Sequence, residues 1–244
     1  MTHVETGGPS TALLPLTQRP FRAIADRLSG PGGLYNAGNL LGLSVALATQ
    51  FLVGATSAAG SVSERLYNFF AGSPSALALT IATAIFLFSG ETYHRAWAGR
   101  TAPSARLNRI ADLLSAGGAT ALTASLAFSG QMPLALASGI LIVGGKLGSA
   151  ATCDDRSRVP AWPVSWSDPF RTAVLAGRAP GLIAAALDLG RHLLDAPGGM
   201  ALFSLVPSAT LIVCYGLWIK ADLLLLGSSA RNSSAVPMSA NVPS

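Results

Sequence analysis

Six apolar blocks, each close to the roughly 20 residues a helix needs to cross a bilayer, dominate this chain. They cover residues 34–54, 75–93, about 108–128, 133–151, about 172–193 and 200–219. Their apolar residues run together instead of alternating, so neither a surface-exposed strand nor a one-faced soluble helix accounts for them. A membrane β-barrel would need shorter segments of alternating polarity. The fifth block is the weakest, because Arg178, Pro180, Asp188 and Arg191 interrupt it.

Charge is scarce enough to support lipid as the solvent. Only 11% of the 244 residues are charged, against about 25% in an ordinary soluble domain. Mean hydropathy is +0.49. The formal net charge of +5 is spread between the apolar blocks, with no basic run interleaved with aromatics, so a nucleic-acid partner is not expected. Arg19, Arg22 and Arg27 precede the first block. Arg95, Arg100, Arg106 and Arg109 lie between the second and third, and Arg156, Arg158 and Arg171 between the fourth and fifth. Lys220 and Arg231 follow the sixth. The other connections hold only Arg65, nothing, and Arg191. By the positive-inside rule, this alternation predicts an all-α polytopic membrane protein: a bundle of six transmembrane helices, both termini cytoplasmic, in a bacterial inner (plasma) membrane. No cleavable leader is expected, since TALLPL is too short for one.

The expected organisation is a disordered tail over 1–18, an amphipathic interfacial helix over 19–32, a transmembrane domain over 33–226 and a second tail over 227–244. In PFRAIADRLSG, Phe21, Ile24, Ala25 and Leu28 share one helical face, which suits a helix lying on the membrane. SVSERLYNFFAG, 61–72, is read the same way on the far side. Trp97, Trp162, Trp166 and Trp218 all fall on the side read as cytoplasmic and are expected as interfacial anchors. IADRLSGPG (24–32) and IADLLSAGG (110–118) resemble each other, but the match does not extend, so no duplication is read from it.

Four charged residues inside the apolar blocks are the candidate lining of a polar site: Glu91, Asp112, Lys146 and Arg178. Lys220 and Asp222 close the sixth block near the same depth. Intramembrane charges are costly and face the bundle interior or snorkel to the headgroups. Glu91 is expected to pair with Lys146 or Arg178. The segment AGRAPG places Gly177, Arg178, Pro180 and Gly181 together, which predicts a kink or break with Arg178 directed inward. Glu91 and His94 form one ExxH, but a carboxylate-bridged metal pair needs two such motifs, so no metal or other cofactor is expected. Cys153 and Cys214 are read as free thiols.

Gly38 with Gly42, Gly144 with Gly148, and Gly177 with Gly181 each form a GxxxG. These allow close helix approach within the bundle, or to a second copy or a membrane-protein partner. No GxSxG elbow or phosphate-binding loop is present, so an enzyme is not the expected reading. The function expected is a small-solute or ion transporter, or a channel-like protein, with its polar site between helices. The alternative is a non-catalytic membrane subunit or scaffold. A lipid-acting enzyme using Glu91 and His94 as acid and base is the distant third.

Overall fold

A computed structural model describes residues 31–56, 61, 63–64, 73–97, 104–153, 168–195 and 201–233. The amphipathic segment before residue 31, the loop with Trp162 and Trp166, most of 61–72 and the end of the chain from 234 lie outside the described residues. Among the described residues six long helices are present: α1 (Pro31–Thr56), α2 (Pro74–Trp97), α3 (Ala105–Phe128), α4 (Met132–Thr152), α5 (Pro169–Asp195) and α6 (Ala201–Ser233). Five of them, α2 to α6, are long and apolar enough to cross a membrane. α1 has the length, at 26 residues, but Asn36, Asn39 and Gln50 dilute its apolar run. α6 continues to Ser233, into the segment expected to be a tail.

Local sequence sets the helix ends. Ser73, followed by Pro74, accepts a hydrogen bond from the Ala76 amide through its side chain, and Ser104 does the same for Leu107. Asp168, followed by Pro169, accepts from the amides of Phe170 and Arg171. Each is an N-cap satisfying donors the helix leaves free, with proline supplying the first-turn φ in two of the three. α3 stops at Gly130, whose φ of +88° lets its amide and that of Gln131 turn back onto the carbonyls of Ala127 and Leu126; a side chain there would be strained.

Each helix packs on its neighbours in sequence, and α6 returns to α1, so the six form a closed ring. Neighbours run antiparallel. Ser75 meets Ser125 at one end of the α2–α3 pair, and Ser89 meets Ser115 towards the other. Asn108 reaches Cys153 across α3 and α4, Ser138 reaches the Gly177 carbonyl across α4 and α5, and Ser208 reaches Asp188 across α5 and α6. The ring is closed by Trp218 of α6, whose indole N–H donates to Asn39 of α1 at 3.0 Å. Gln50 of α1 donates to the Ser73 carbonyl at 2.8 Å. Asn39 and Gln50, two of the polar residues that dilute the hydropathy of α1, thus tie it to its neighbours. An even number of antiparallel helices brings the start of α1 and the end of α6 to the same end of the ring. That end also carries Arg95, Arg106, Arg109, Arg171 and Lys220, and is the basic end.

The ring is apolar outside and small or polar inside. Phe51, Phe88 and Ile140 are each about 70% exposed, and Leu40, Phe128, Leu136, Leu187 and Leu193 are also on the surface. The buried positions are largely alanines, with Ser89, Asn108, Asp112, Ser115, Ser125, Lys146, Ser149, Arg178 and Asp222 among them. A water-soluble protein exposes no contiguous apolar surface on this scale. Between lipid chains, such a surface costs nothing, and association rests on close packing of small residues and interhelical hydrogen bonds. Gly38 faces the Trp218 ring, Gly42 faces Thr83, Gly177 faces Ile142 and the Ser138 carbonyl, and Gly181 faces the Tyr215 hydroxyl. Gly148 packs on Phe170 together with Gly145, whereas Gly144 has open space around it. The α4 contact is therefore displaced by one residue from the Gly144–Gly148 motif.

Candidate functional site

Two buried acid–base pairs lie inside the ring towards its basic end. The first joins α2, α3 and α4. Asp112 is 0% exposed. Its carboxylate accepts hydrogen bonds from the Tyr93 hydroxyl, Lys146 Nζ at 3.3 Å, Ser149 Oγ at 2.8 Å and Asn108 Nδ2 at 3.3 Å. Lys146 also donates to the Tyr93 oxygen at 2.9 Å and stands 5.0 Å from the centre of that ring. A chain of two hydrogen bonds therefore links ammonium through phenol to carboxylate. Asn108 also meets Cys153 at 3.3 Å, and Arg109 holds the Cys153 carbonyl. Burial pushes the Cys153 thiol up, away from the thiolate. Both cysteines are free and buried.

The second pair joins α1, α5 and α6. Arg178 Nε donates to Asp222 Oδ2 at 3.2 Å, and the Tyr35 hydroxyl donates to Asp222 Oδ1. The guanidinium carbon lies 5.2 Å from the centre of the Trp218 ring, and Trp218 in turn packs edge-on against Phe86 and Tyr215. Each pair is thus a base, an aspartate and a tyrosine, with the base seated on an aromatic face. Both arrangements satisfy charges that would be very costly unpaired, and the ring faces add a cation–π attraction. Around the ring the first set occupies α2, α3 and α4, and the second α1, α6 and α5.

Arg171, partly buried in the first turn of α5, lies within electrostatic reach of both sets: Tyr93 and Asp112 on one side, Tyr35 and Asp222 on the other. Lys146 likewise feels Asp222 and Arg178 besides Asp112. The two pairs therefore form one electrostatic cluster. Among the described residues it holds three cations, Lys146, Arg171 and Arg178, and two carboxylates, Asp112 and Asp222. Arg178 sits nine residues into α5, roughly 13 Å along a helix axis, so the cluster extends well below the helix ends.

The structure brings together Asp112, Lys146 and Arg178 and leaves Glu91 apart. Glu91 is exposed and its carboxylate accepts from Arg95 at 2.8 Å, one turn on in the same helix. It does not pair with Lys146 or Arg178, because it faces away from the interior while Tyr93, two residues later, faces in. Lys146 does not snorkel; its ammonium stays with Asp112, whereas Lys220 is exposed. The acid opposite Arg178 is Asp222, not Asp112 or Glu91. α5 runs through Gly177, Pro180 and Gly181 without interruption. Arg178 does point inward, at 5% exposure. Trp218 is not an interfacial anchor: it is 1% exposed, held by the missing side chain at Gly38 and its bond to Asn39. The side chains of the other three tryptophans lie outside the described residues.

Tyr35, Tyr93 and Ser149 escaped the sequence reading. Both tyrosines fall near helix ends, where aromatic residues usually mark the headgroup layer. The available signal was phase: Tyr93 is four residues from Ser89, and Ser89 bonds Ser115 inside the ring, so both lie on one helix face. Among the described residues, no three His, Cys, Asp or Glu side chains are grouped to hold a metal ion.

The helices and their inside-out polarity are those of an integral, multi-pass membrane protein. No protein-family model matches the chain, and neither a curated protein nor a solved structure is detectably similar to it.

Proposed function

We propose that this protein spans a bacterial inner (plasma) membrane six times, with α1 as the sixth span and both termini cytoplasmic, and that it passes a small solute or ion. Asp112, Lys146, Arg178 and Asp222 are its polar site between helices; Glu91, exposed on the flank, is left out. The observation that carries this reading is the two buried ion pairs, Lys146 with Asp112 and Arg178 with Asp222, inside a lipid-facing ring. Structural glue does not require them, since well-packed apolar groups stabilise a core as well as a buried ion pair or better. Charges kept at such depth usually belong to solute or proton pathways. The rival reading, a scaffold for other membrane proteins, has less support, because Gly38, Gly42, Gly148, Gly177 and Gly181 face partners within the chain itself.

Flux into reconstituted vesicles tests the proposal. Wild-type protein should pass at least one class of small ion or polar solute faster than protein-free vesicles do. Arg178→Ala should abolish that flux while the protein still inserts, and Arg178→Lys should restore only part of it, since a lysine keeps charge but not the guanidinium fork. Wild-type vesicles as tight as protein-free ones across ions and neutral solutes would reject transport and favour the scaffold.

The basic end of the ring is the cytoplasmic one in this reading. In a cysteine-free background, single cysteines beside Arg65 and beside Arg106 should be labelled by an impermeant thiol reagent from opposite faces of oriented vesicles. Labelling of both from the same face would sink the six-span topology.

A further inference from the structure

Two buried polar groups on facing helices lack a hydrogen-bond partner: Arg178 Nη1 of α5 and the Tyr215 hydroxyl of α6. They are neighbours. Both side chains pack on the Trp218 indole, the guanidinium at 5.2 Å and the phenol ring at 5.3 Å. The Tyr215 hydroxyl lies against Gly181, one turn beyond Arg178. Arg178 spends its Nε on Asp222, so Nη1 is a charged donor left over. Buried polar groups are nearly always paired, and an orphan guanidinium N–H is among the costliest to leave so. Two unpartnered donors against one indole can share one acceptor. Among the described residues the cluster holds Lys146, Arg171 and Arg178 against Asp112 and Asp222, a balance that suits a negatively charged acceptor.

We infer that Arg178 Nη1 and the Tyr215 hydroxyl, backed by the Arg171 charge, bind a small anion between α5 and α6 on the wall formed by Trp218. This rests on the transport reading for its role, as it names the class of solute, but the binding itself stands on the two orphan donors. The chemistry required is a compact negative acceptor. A halide or nitrate meets it, and so does the carboxylate or phosphate of a small metabolite. The indole face would pack against whatever the anion carries.

Full-length protein purified in neutral detergent, in a low-ionic-strength buffer whose only anion is a bulky sulfonate, would be titrated with sodium chloride, bromide, nitrate, acetate and inorganic phosphate while thermal unfolding is followed. At least one salt should raise Tm saturably. Saturation by halide or nitrate alone identifies a mineral anion, and saturation by acetate or phosphate a solute bearing that group. Tyr215→Phe and Arg178→Lys should each weaken the apparent affinity about ten-fold, the effect of one hydrogen bond to a charged group. Without anion, Tyr215→Phe should unfold close to wild type, because the side chain nearest its hydroxyl, Ser138, already donates to the Gly177 carbonyl. A response that tracks ionic strength alike for every salt, or a saturable response unchanged in both variants, would overturn the inference. Saturable binding without any flux keeps the anion site and rejects transport. Flux that is indifferent to Tyr215→Phe and to the anion present keeps transport and rejects the anion site.

Discussion

Asp112→Ala should be the most damaging substitution in the polar cluster, lowering stability by about 3–5 kcal/mol, the cost of stripping one partner from a buried ion pair. The carboxylate accepts from four side chains on three helices. Removing it leaves Lys146 charged, buried and facing Arg171 and Arg178 without its counter-ion. The effect should show in unfolding of the purified protein in mixed detergent micelles. Two comparisons isolate the cause. Glu91→Gln should change stability little, because the Glu91–Arg95 pair is exposed on the ring's flank and solvent-side pairs contribute little. Joining Asp112→Leu to Lys146→Met should recover much of the loss, because the pair is then replaced by apolar volume. An Asp112→Ala protein no weaker than Glu91→Gln would mean the pair does not hold the ring together.

The second large effect is expected at Gly145, which the GxxxG pattern does not single out. A Cβ there would stand 2.6 Å from the Phe170 carbonyl oxygen and 3.2 Å from the Val174 amide nitrogen. These are backbone atoms and cannot rotate aside, so Gly145→Ala must push α4 and α5 apart. Overpacking of this kind costs about 1–3 kcal/mol. Phe170 precedes Arg171 in the first turn of α5, so the shift also moves one of the three cations. Gly144→Ala is the matched control: its Cβ would meet nothing within 4 Å, and alanine favours the helix. Unfolding of the two variants under one condition decides the matter. Equal stabilities would show that the close approach of α4 to α5 is not a packing constraint.

The helices were legible because lipid imposes one length and one composition on every span. The six apolar blocks fall inside the six helices, apart from one residue at the start of the sixth. Asp112, Lys146 and Arg178 were legible for the same reason: charge stands out against so apolar a background. Their partners were not. Depth along the chain says which charges share a level, but a ring of six offers several neighbours at each level, and side-chain direction decides among them. Glu91 and Tyr93 are two residues apart and point to opposite sides, so half-turn errors in phase exchange a surface carboxylate for a core phenol. Trp218 was misplaced by a rule that holds for tryptophans in general and fails where a glycine on the next helix makes room for an indole.

The arrangement of the two base–aspartate–tyrosine sets bears on how this protein came to be. Had an ancestral three-helix unit been copied, the odd number of crossings would return the copy upside down. Its set would then lie at the opposite end of the ring. Both sets lie at one end, and in the order tyrosine, aspartate, base their helices run round the ring in opposite senses, α2–α3–α4 against α1–α6–α5. Copying of a three-helix unit therefore does not produce this arrangement. The two sets also differ in kind at the base: one is a lysine, and the other an arginine, which holds its charge throughout.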